Sequence, residues 1–412
     1  MPSASASPGL FRSSALALAV LLSFSVLTLW VRERWAVSLL QVGVFLLGIV
    51  WAARWALRPF PLRQTFLYIP LTGTAAWGLL QLLLGTTVYR FDTWNAVLFW
   101  STGLLLAFFA AHALAEPGTR RAFLRALLYF GFGMSVLATT QYFTSQGKIF
   151  WLFPSGYPDA LGPFVYRNNY AAFIELLLPL AVLEARRDRR HATLHAVMAS
   201  VMYASVIASA SRAGSILVTL EIPATLLLAE RCGLVSLRRL GTALVKIGAL
   251  AAIFISVVGL EALSERFAQA DPFVHRREIL ASSLAMARER PWLGFGLGTF
   301  EQAYPGFASF DIGLVVNHAH NDWAEWLAEG GAPFLLLLLS LAAWTLRPAL
   351  RSLWGIGLIA VFLHALVDYP MQRLGLAAWV FVLLGALAAE ELDRRPGDFA
   401  CGHPRLAGDA PP

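Results

Sequence analysis

The sequence predicts an all-α, polytopic integral membrane protein with about twelve transmembrane helices. Of its 412 residues, 58% are hydrophobic and only 14% are charged, whereas about 25% are charged in a soluble domain. Apolar runs near 20 residues, the length that crosses a bilayer as a helix, recur along most of the chain. The runs are continuous rather than alternating, which argues against a transmembrane β-barrel.

The apolar runs divide the chain into five regions. They are a cytoplasmic N-terminus (1–12), spans one to nine (13–260), a long loop (261–332), spans ten to twelve (333–391) and a disordered cytoplasmic tail (392–412). The twelve predicted spans are 13–30, 36–56, 66–85, 94–115, 122–143, 168–185, 191–210, 214–230, 242–260, 333–350, 353–369 and 374–391. The first run lacks a small-residue cleavage site, so a retained helix is expected rather than a signal peptide.

The net charge of +7 would suggest nucleic-acid binding in a soluble protein. Here the lipid bilayer explains it, because 20 of the 32 Lys and Arg residues fall on one side of the predicted topology. The positive-inside rule assigns that side, with both termini, to the cytoplasm. The long loop is then expected to face away from the cytoplasm, and no nucleic-acid partner is expected.

The predicted loop has its own structure. "VHRREILASSLAMARERPWLG" predicts an amphipathic helix with Ile279, Leu280, Leu284 and Ala287 on one face, ended by Pro291. "GFGLGTF" predicts a tight glycine turn; a nucleotide-binding loop would require a preceding strand, which is missing. A long, structured loop usually carries function.

"NHAHNDWAEWLAEGG" predicts a second loop helix. Asn317 or Asn321 is the expected N-cap, and Gly330 closes the helix. This stretch directly precedes the tenth predicted span, so the helix is expected to end just before the chain re-enters the membrane.

Among the basic residues that fall on the predicted outer side, against the topological bias, four arginines are singled out: Arg167, Arg212, Arg276 and Arg277. Charge at the membrane is costly and usually marks a substrate path, and the planar guanidinium suits phosphate oxygens. A lipid-linked diphosphate would therefore suit them. Alternatively, Arg167 pairs with lipid headgroups and anchors its helix at the membrane interface. Arg276 or Arg277 would then be only a solvent-exposed charge on the loop helix.

Three interpretations compete for the histidines His318 and His320. A zinc site with Asp322 would need an extended segment, because positions i and i+2 of a helix diverge. A structural role at a helix start is the simplest interpretation, and it suits His318. The third is a general base: His320, beside Asn321 in the first turn, would remain neutral and accept a proton.

These motifs together resemble the O-antigen ligase and polymerase superfamily. The resemblance rests on "RPWLGFGLGTFEQAYP", "HAHNDWAEWLAEGG", "FVYRNNYAAFIELLLPLA", "ASASRAGS" and "LHALVDYPMQ", and covers about residues 160–391. It implies a GT-C-like membrane glycosyltransferase of the bacterial inner membrane that works on the periplasmic face. Its glycan donor would be linked to undecaprenyl diphosphate, and no metal or other cofactor would be required.

The resemblance also implies roles for particular residues. His320 would be the catalytic base, supported by His318 and Asn321, and Arg212 with Arg276, Arg277 or Arg167 would bind the diphosphate. His364 and Asp368 match a recurring family segment and lie i, i+4 on one helix face, as a functional pair or a helix-packing hydrogen bond.

The identity of the acceptor stays open at this point. A ligase that transfers the glycan to lipid A–core is favoured because one outer loop dominates; a polymerase or a protein O-oligosaccharyltransferase would use the same motifs. A transporter or flippase of a lipid-linked anion would use the arginines without a base. A metal-dependent membrane hydrolase is a further alternative.

Overall fold

The structure is a computed structural model that describes residues 8–157, 159–188, 190–232, 237–268, 274–309, 313 and 315–394. About 75% of the structure is helical and its strands are two residues long, which confirms the all-α prediction. The helices in chain order are α1 (Pro8–Leu27), α2 (Trp35–Leu57), α3 (Tyr68–Leu84), α4 (Arg90–Ala113), α5 (Pro117–Thr144), α6 (Arg167–Glu175), α7 (Leu178–Arg187), α8 (Ala192–Ala208), α9 (Arg212–Arg231), α10 (Leu237–Val258), α11 (Glu261–Ala268), α12 (Val274–Glu289), α13 (Phe300–Ala303), α14 (Asp322–Ser352), α15 (Ile356–His364) and α16 (Leu374–Leu392). Two 3₁₀ turns (Tyr304–Gly306 and Pro370–Gln372) and a hairpin of β1 (Lys148–Ile149) and β2 (Phe153–Pro154) complete the described elements.

Several of the described helices are suited to a bilayer. Seven are long and apolar enough to span it, and an eighth span results if α10 and α11, bent by 90°, count as one. The seven are α1, α2, α4, α5, α9, α14 and α16. Large apolar side chains such as Leu16, Ile49 and Leu336 are exposed on their outer surfaces, as expected where lipid is the solvent. The prediction of a polytopic membrane protein is therefore confirmed.

The predicted number of twelve spans is not reached within the described residues. Helices α3 and α8 have 17 residues each and α15 has nine, and nine residues rise only about 13 Å against a hydrocarbon core of about 30 Å. The sixth predicted span is split into α6 and α7 after Glu175. Pro179 in the first turn of α7 has no N–H to continue the ladder of α6.

Helix α16 forms the centre of the bundle and packs along α4. Almost all of its residues are buried, and Trp379 donates its indole N–H to the Leu22 carbonyl at 3.0 Å. A Cβ at Gly385 would lie 2.3 Å from the Ala107 carbonyl oxygen, so glycine is what permits this close approach. Small residues at helix contacts are typical of membrane bundles.

The glycine turn is fixed to α3 by one buried amide. Gln81 donates from Nε2 to the carbonyl oxygens of Leu293 (2.6 Å) and Glu329 (2.9 Å), while its Oε1 accepts from the Leu297 N–H at 3.0 Å. Glycines 294, 296 and 298 all have positive φ, which confirms the predicted tight turn. The side of the molecule where this turn lies is called the loop side below.

Helix α14 is kinked at Gly331, which has φ 71° and ψ −177°. The helix is therefore interrupted next to Gly330, where the loop helix was predicted to end. It does not stop there, because helical structure resumes directly after Gly331. A Cβ at Gly331 would lie 2.4 Å from the Trp292 carbonyl oxygen, and the Ala332 N–H donates to the Pro291 carbonyl at 2.7 Å. The backbone of the glycine turn is thus pressed directly against the kink.

The predicted loop helix is present as α12, but its buried face differs from the expected one. Ile279 and Ala287 are buried as predicted, whereas Leu284 is 37% exposed. Ser283 and Met286 are fully buried instead, because the side of α12 that packs on α14 runs through them. The prediction from hydrophobicity alone therefore placed the buried face of α12 wrongly by part of a helical turn.

Ion pairs close the opposite end of the bundle. Asp393 pairs with Arg63 and with Arg120 (2.9 Å), and Arg394 pairs with Glu390 at 2.8 Å. The first residues of the predicted tail, 392–394, are therefore held against the bundle. Residues 395–412 of that tail and residues 1–7 of the predicted N-terminal region lie outside the described residues.

Gly331→Ala should lower the thermal unfolding temperature of the purified protein by several degrees. The Gly331 backbone conformation is confined to glycine, so strain of about 2 kcal/mol is expected, and the new Cβ would meet the Trp292 carbonyl. Gly133→Ala is the matched control, because a Cβ there meets nothing within 4 Å and alanine favours a helix. Equal melting temperatures for the two variants would contradict this account of the kink.

Candidate functional site

A cavity of about 570 Å³ lies on the loop side, between α6, α9, α11, α12 and the connection that follows α15. It brings together most of the residues that the sequence singled out. Its charged and titratable lining includes Asp159, Arg167, Arg212, Arg266, Arg276, His320 and Asp368. Four guanidinium groups thus surround one histidine and two carboxylates.

The start of α9 positions Arg212. Ser211 is the N-cap, and its hydroxyl accepts from the Gly214 N–H at 3.2 Å. A Cβ on Gly214 would lie 2.3 Å from that of Ala171, so the small residues of "ASASRAGS" let α9 pack closely on α6. Arg212 donates from Nη1 to the Arg266 carbonyl at 3.1 Å, which places α11 beside it.

Two further arginines reach the cavity from other helices. Arg167 opens α6 and pairs with Asp159 at 2.6 Å. Arg276, in α12, donates to the Val367 carbonyl at 2.5 Å and pairs with Asp368 at 3.2 Å. Arg277 is exposed and does not line the cavity, because adjacent residues on a helix point about 100° apart.

His320 lines the cavity. Its Nδ1 is 3.4 Å from Oδ1 of Asp368. Because an ionised carboxylate can only accept, the Nδ1 of His320 carries the proton in this contact, and its Nε2 is then an acceptor in the neutral ring. This is the tautomer that a base facing the cavity requires.

Asp368 is the common partner of the site. It accepts from His320, from Arg276 and from Asn168 of α6, and also from the Tyr369 N–H at 2.9 Å. It lies in the connection after α15, outside the candidate spanning helices. Burial raises the pKa of Asp368, but the hydrogen bond from His320 and the charge of Arg276 outweigh burial and lower it well below its ordinary value.

The segment that carries both histidines precedes the helix, which corrects the expected placement of His320 in the first turn. Asn321 is the N-cap, because its Oδ1 accepts from the Ala324 N–H at 3.0 Å. His320, one residue earlier, has φ 51°. This left-handed residue directs its ring towards Asp368, and Asn321 Nδ2 also donates to the Leu366 carbonyl at 2.8 Å.

His318 faces away from the cavity. Its Nδ1 donates to Glu325 at 2.9 Å, and the same carboxylate accepts from the Ala319 N–H at 2.6 Å. The His318 ring stacks on Tyr369 with centroids 4.5 Å apart, while the His320 ring meets Tyr369 edge-on at 5.0 Å. The two imidazoles thus diverge around one tyrosine, and among the described residues no three His, Cys, Asp or Glu side chains form a metal-binding group.

His364 does not form the predicted side-chain pair with Asp368. Its Nδ1 lies 2.8 Å from Oε1 of Glu175, and both side chains are fully buried. Helix α15 ends at His364, and although the Asp368 N–H still donates to the His364 carbonyl at 3.0 Å, the two side chains have different partners. Asp368 therefore faces the cavity, while His364 remains inside the bundle.

Sequence reasoning missed Arg266, Asn168 and Tyr369. The rule that found the other arginines would have found Arg266, because it also follows the ninth predicted span on the outer side. Asn168 lies beside Arg167 in a motif that was noted, but nothing local indicated that it would contact residue 368. The partners of Asn168 and Tyr369 come from distant segments, so no spacing rule reveals them.

One region of the chain is similar to a known protein family, and this region contains much of the site. Residues 196–339 match a family model described as O-Antigen ligase, a stretch that includes Arg212, Arg276 and His320. None of the curated proteins compared with the sequence matches it. The chain is therefore a multi-pass membrane protein in which a region of 144 residues is similar to the O-antigen ligase family.

Proposed function

We propose that this protein is an inverting O-antigen ligase-type glycosyltransferase of the bacterial inner membrane. It transfers a glycan from undecaprenyl diphosphate to an acceptor hydroxyl, that of lipid A–core or a similar glycan, on the periplasmic face. The observation that carries the proposal is the convergence of Arg167, Arg212, Arg266, Arg276 and His320 in one cavity. Anion binding and proton transfer then share one site.

The arginines suit the diphosphate of the donor. Four guanidinium groups from α6, α9, α11 and α12 provide planar donors for phosphate oxygens. Asp159 and Asp368 offset part of this positive charge. They thereby reduce the electrostatic repulsion between the arginines before the donor binds. The positive charge would also stabilise the diphosphate as it leaves.

The rest of the cavity suits a polyprenyl chain. Ile216 of α9 and Phe267 of α11 line it, and both are more than half exposed on the outside of the bundle. An apolar lining that continues to the membrane-facing surface would let the lipid tail remain in the bilayer while the diphosphate meets the arginines. Electrostatic attraction and apolar contact would thus act on different parts of one donor.

The proposed reaction is a single displacement. The acceptor oxygen attacks the anomeric carbon while its proton passes to Nε2 of His320, and the bond between that carbon and the diphosphate oxygen breaks. Undecaprenyl diphosphate leaves with the bonding electron pair. Asp368 orients His320 through Nδ1 and would stabilise the imidazolium that forms.

His320→Ala should reduce glycan transfer by about 100-fold or more, the range expected for removal of a general base. The assay is transfer from purified lipid-linked donor to acceptor glycolipid. His191→Ala is the matched control, because His191 is an exposed histidine paired with Asp188 outside the site. A His320→Ala protein that folds normally and keeps full activity would remove His320 from the mechanism.

Arg212→Lys should raise KM for the lipid-linked donor by about tenfold, because lysine keeps the charge but loses the fork that binds two oxygens. KM for the acceptor should change little. Arg277→Lys is the control, since Arg277 lies outside the cavity. The diphosphate would be assigned to the wrong arginines if Arg277→Lys weakened donor binding more than Arg212→Lys.

The new glycosidic linkage should have the opposite anomeric configuration to that of the donor. One displacement without a covalent enzyme intermediate inverts the anomeric carbon. NMR coupling constants of the product, compared with those of the intact donor, measure this directly. Net retention would exclude the single-displacement scheme.

A further inference from the structure

A second cavity of about 430 Å³ lies on the loop side, behind the segment that carries the histidines. It is enclosed by the end of α1, the first turns of α2, α4, α14 and α16, and the glycine turn. His318 lines this cavity, whereas His320 lines the arginine cavity. The ring of Tyr369, which also lines the arginine cavity, packs against both histidines.

The second cavity differs in chemistry from the first. Four carboxylates line it, Asp92, Glu301, Glu325 and Glu329, against two arginines, Arg34 and Arg373. The arginine cavity has the opposite balance, with four arginines and two aspartates. A phosphate group is therefore favoured in the first cavity, while carboxylates and amides favour the hydroxyl groups of a neutral ligand in the second.

The lining also contains aromatic and amide side chains. Trp100 and Trp326 both line the cavity, and their rings lie 6.3 Å apart in an edge-to-face arrangement. Asn95 and Gln302 add amides that can donate and accept. Carboxylates and amides in a partly apolar cavity complement the hydroxyl groups of a carbohydrate.

Gln41 is an independent sign of a ligand. It belongs to the apolar spanning helix α2, its side chain is 94% buried, and it lines this cavity. Its amide makes no hydrogen bond with any described residue. A glutamine in an apolar helix is costly unless its amide is hydrogen-bonded, and the hydroxyl groups of a ligand in the cavity would supply those hydrogen bonds.

We propose that the second cavity binds the glycan of the acceptor, next to the site of transfer. The inference rests on the proposed function and adds the position of the second substrate. The acceptor and the donor would approach the short segment 318–320 from its two sides. The attacking hydroxyl would reach His320 past the edge of Tyr369, while the diphosphate stays in the arginine cavity.

Gln41→Leu tests the proposal, because leucine suits an apolar helix and removes only the amide. A strain that lacks the gene supplies both substrates: its lipid-linked glycan fraction is the donor, and its unglycosylated glycolipid fraction is the acceptor. We expect KM for the acceptor to rise about five- to tenfold, as for the loss of one or two hydrogen bonds. Donor KM and kcat should stay near those of the control, Gln64→Leu, an exposed glutamine at the other end of the bundle.

Two kinetic results would overturn the proposal. A rise in donor KM with an unchanged acceptor KM would assign the cavity to the glycan of the donor, and no change in either would leave the cavity without a role in binding. Direct binding separates this test from the proposed function. The acceptor fraction should bind the purified full chain in lipid nanodiscs, bind equally to His320→Ala, and bind more weakly to Gln41→Leu, whether or not transfer is observed; equal binding to Gln41→Leu would reject the proposal.

Discussion

The carboxylate of Asp368 is the interaction on which the rest of the site depends. It joins His320 from the loop, Arg276 from α12 and Asn168 from α6. Asn168 in turn accepts from Ser211, the cap of α9, at 2.7 Å. One buried anion thus sets the relative positions of four segments, and its lowered pKa keeps it charged at neutral pH.

The loop can serve as part of a rigid site because the helices hold its backbone. Gln81 satisfies three backbone groups of the glycine turn and of α14, and the kink at Gly331 lets that turn lie against the helix. A long loop without such contacts would lose positional precision, and a general base has to lie within hydrogen-bond reach of its proton. The contacts that stabilise this region are therefore the same ones that would hold the proposed base in position.

Local sequence patterns were less reliable where tertiary contacts decide geometry. The spacing of His364 and Asp368 predicted one helix face, but α15 ends between them and His364 pairs with Glu175. His320 was expected inside a helical turn, yet Asn321 caps the helix one residue later. The count of twelve spans assumed that each apolar run forms one full helix, whereas α6 and α7 divide one run and α15 is short.

The sequence by itself determined that the chain is an all-α membrane protein, that a structured loop precedes the tenth predicted span, and which arginines and histidine deserve a functional hypothesis. Those inferences follow from hydrophobic length, local charge and capping chemistry, which act between near neighbours. Only the tertiary structure decided that His320 is paired with Asp368, that Arg266 joins the cavity and Arg277 does not, and that His318 opens onto a separate space. Such contacts join segments that lie tens to hundreds of residues apart, so the packing of the helices determines them and no local pattern does.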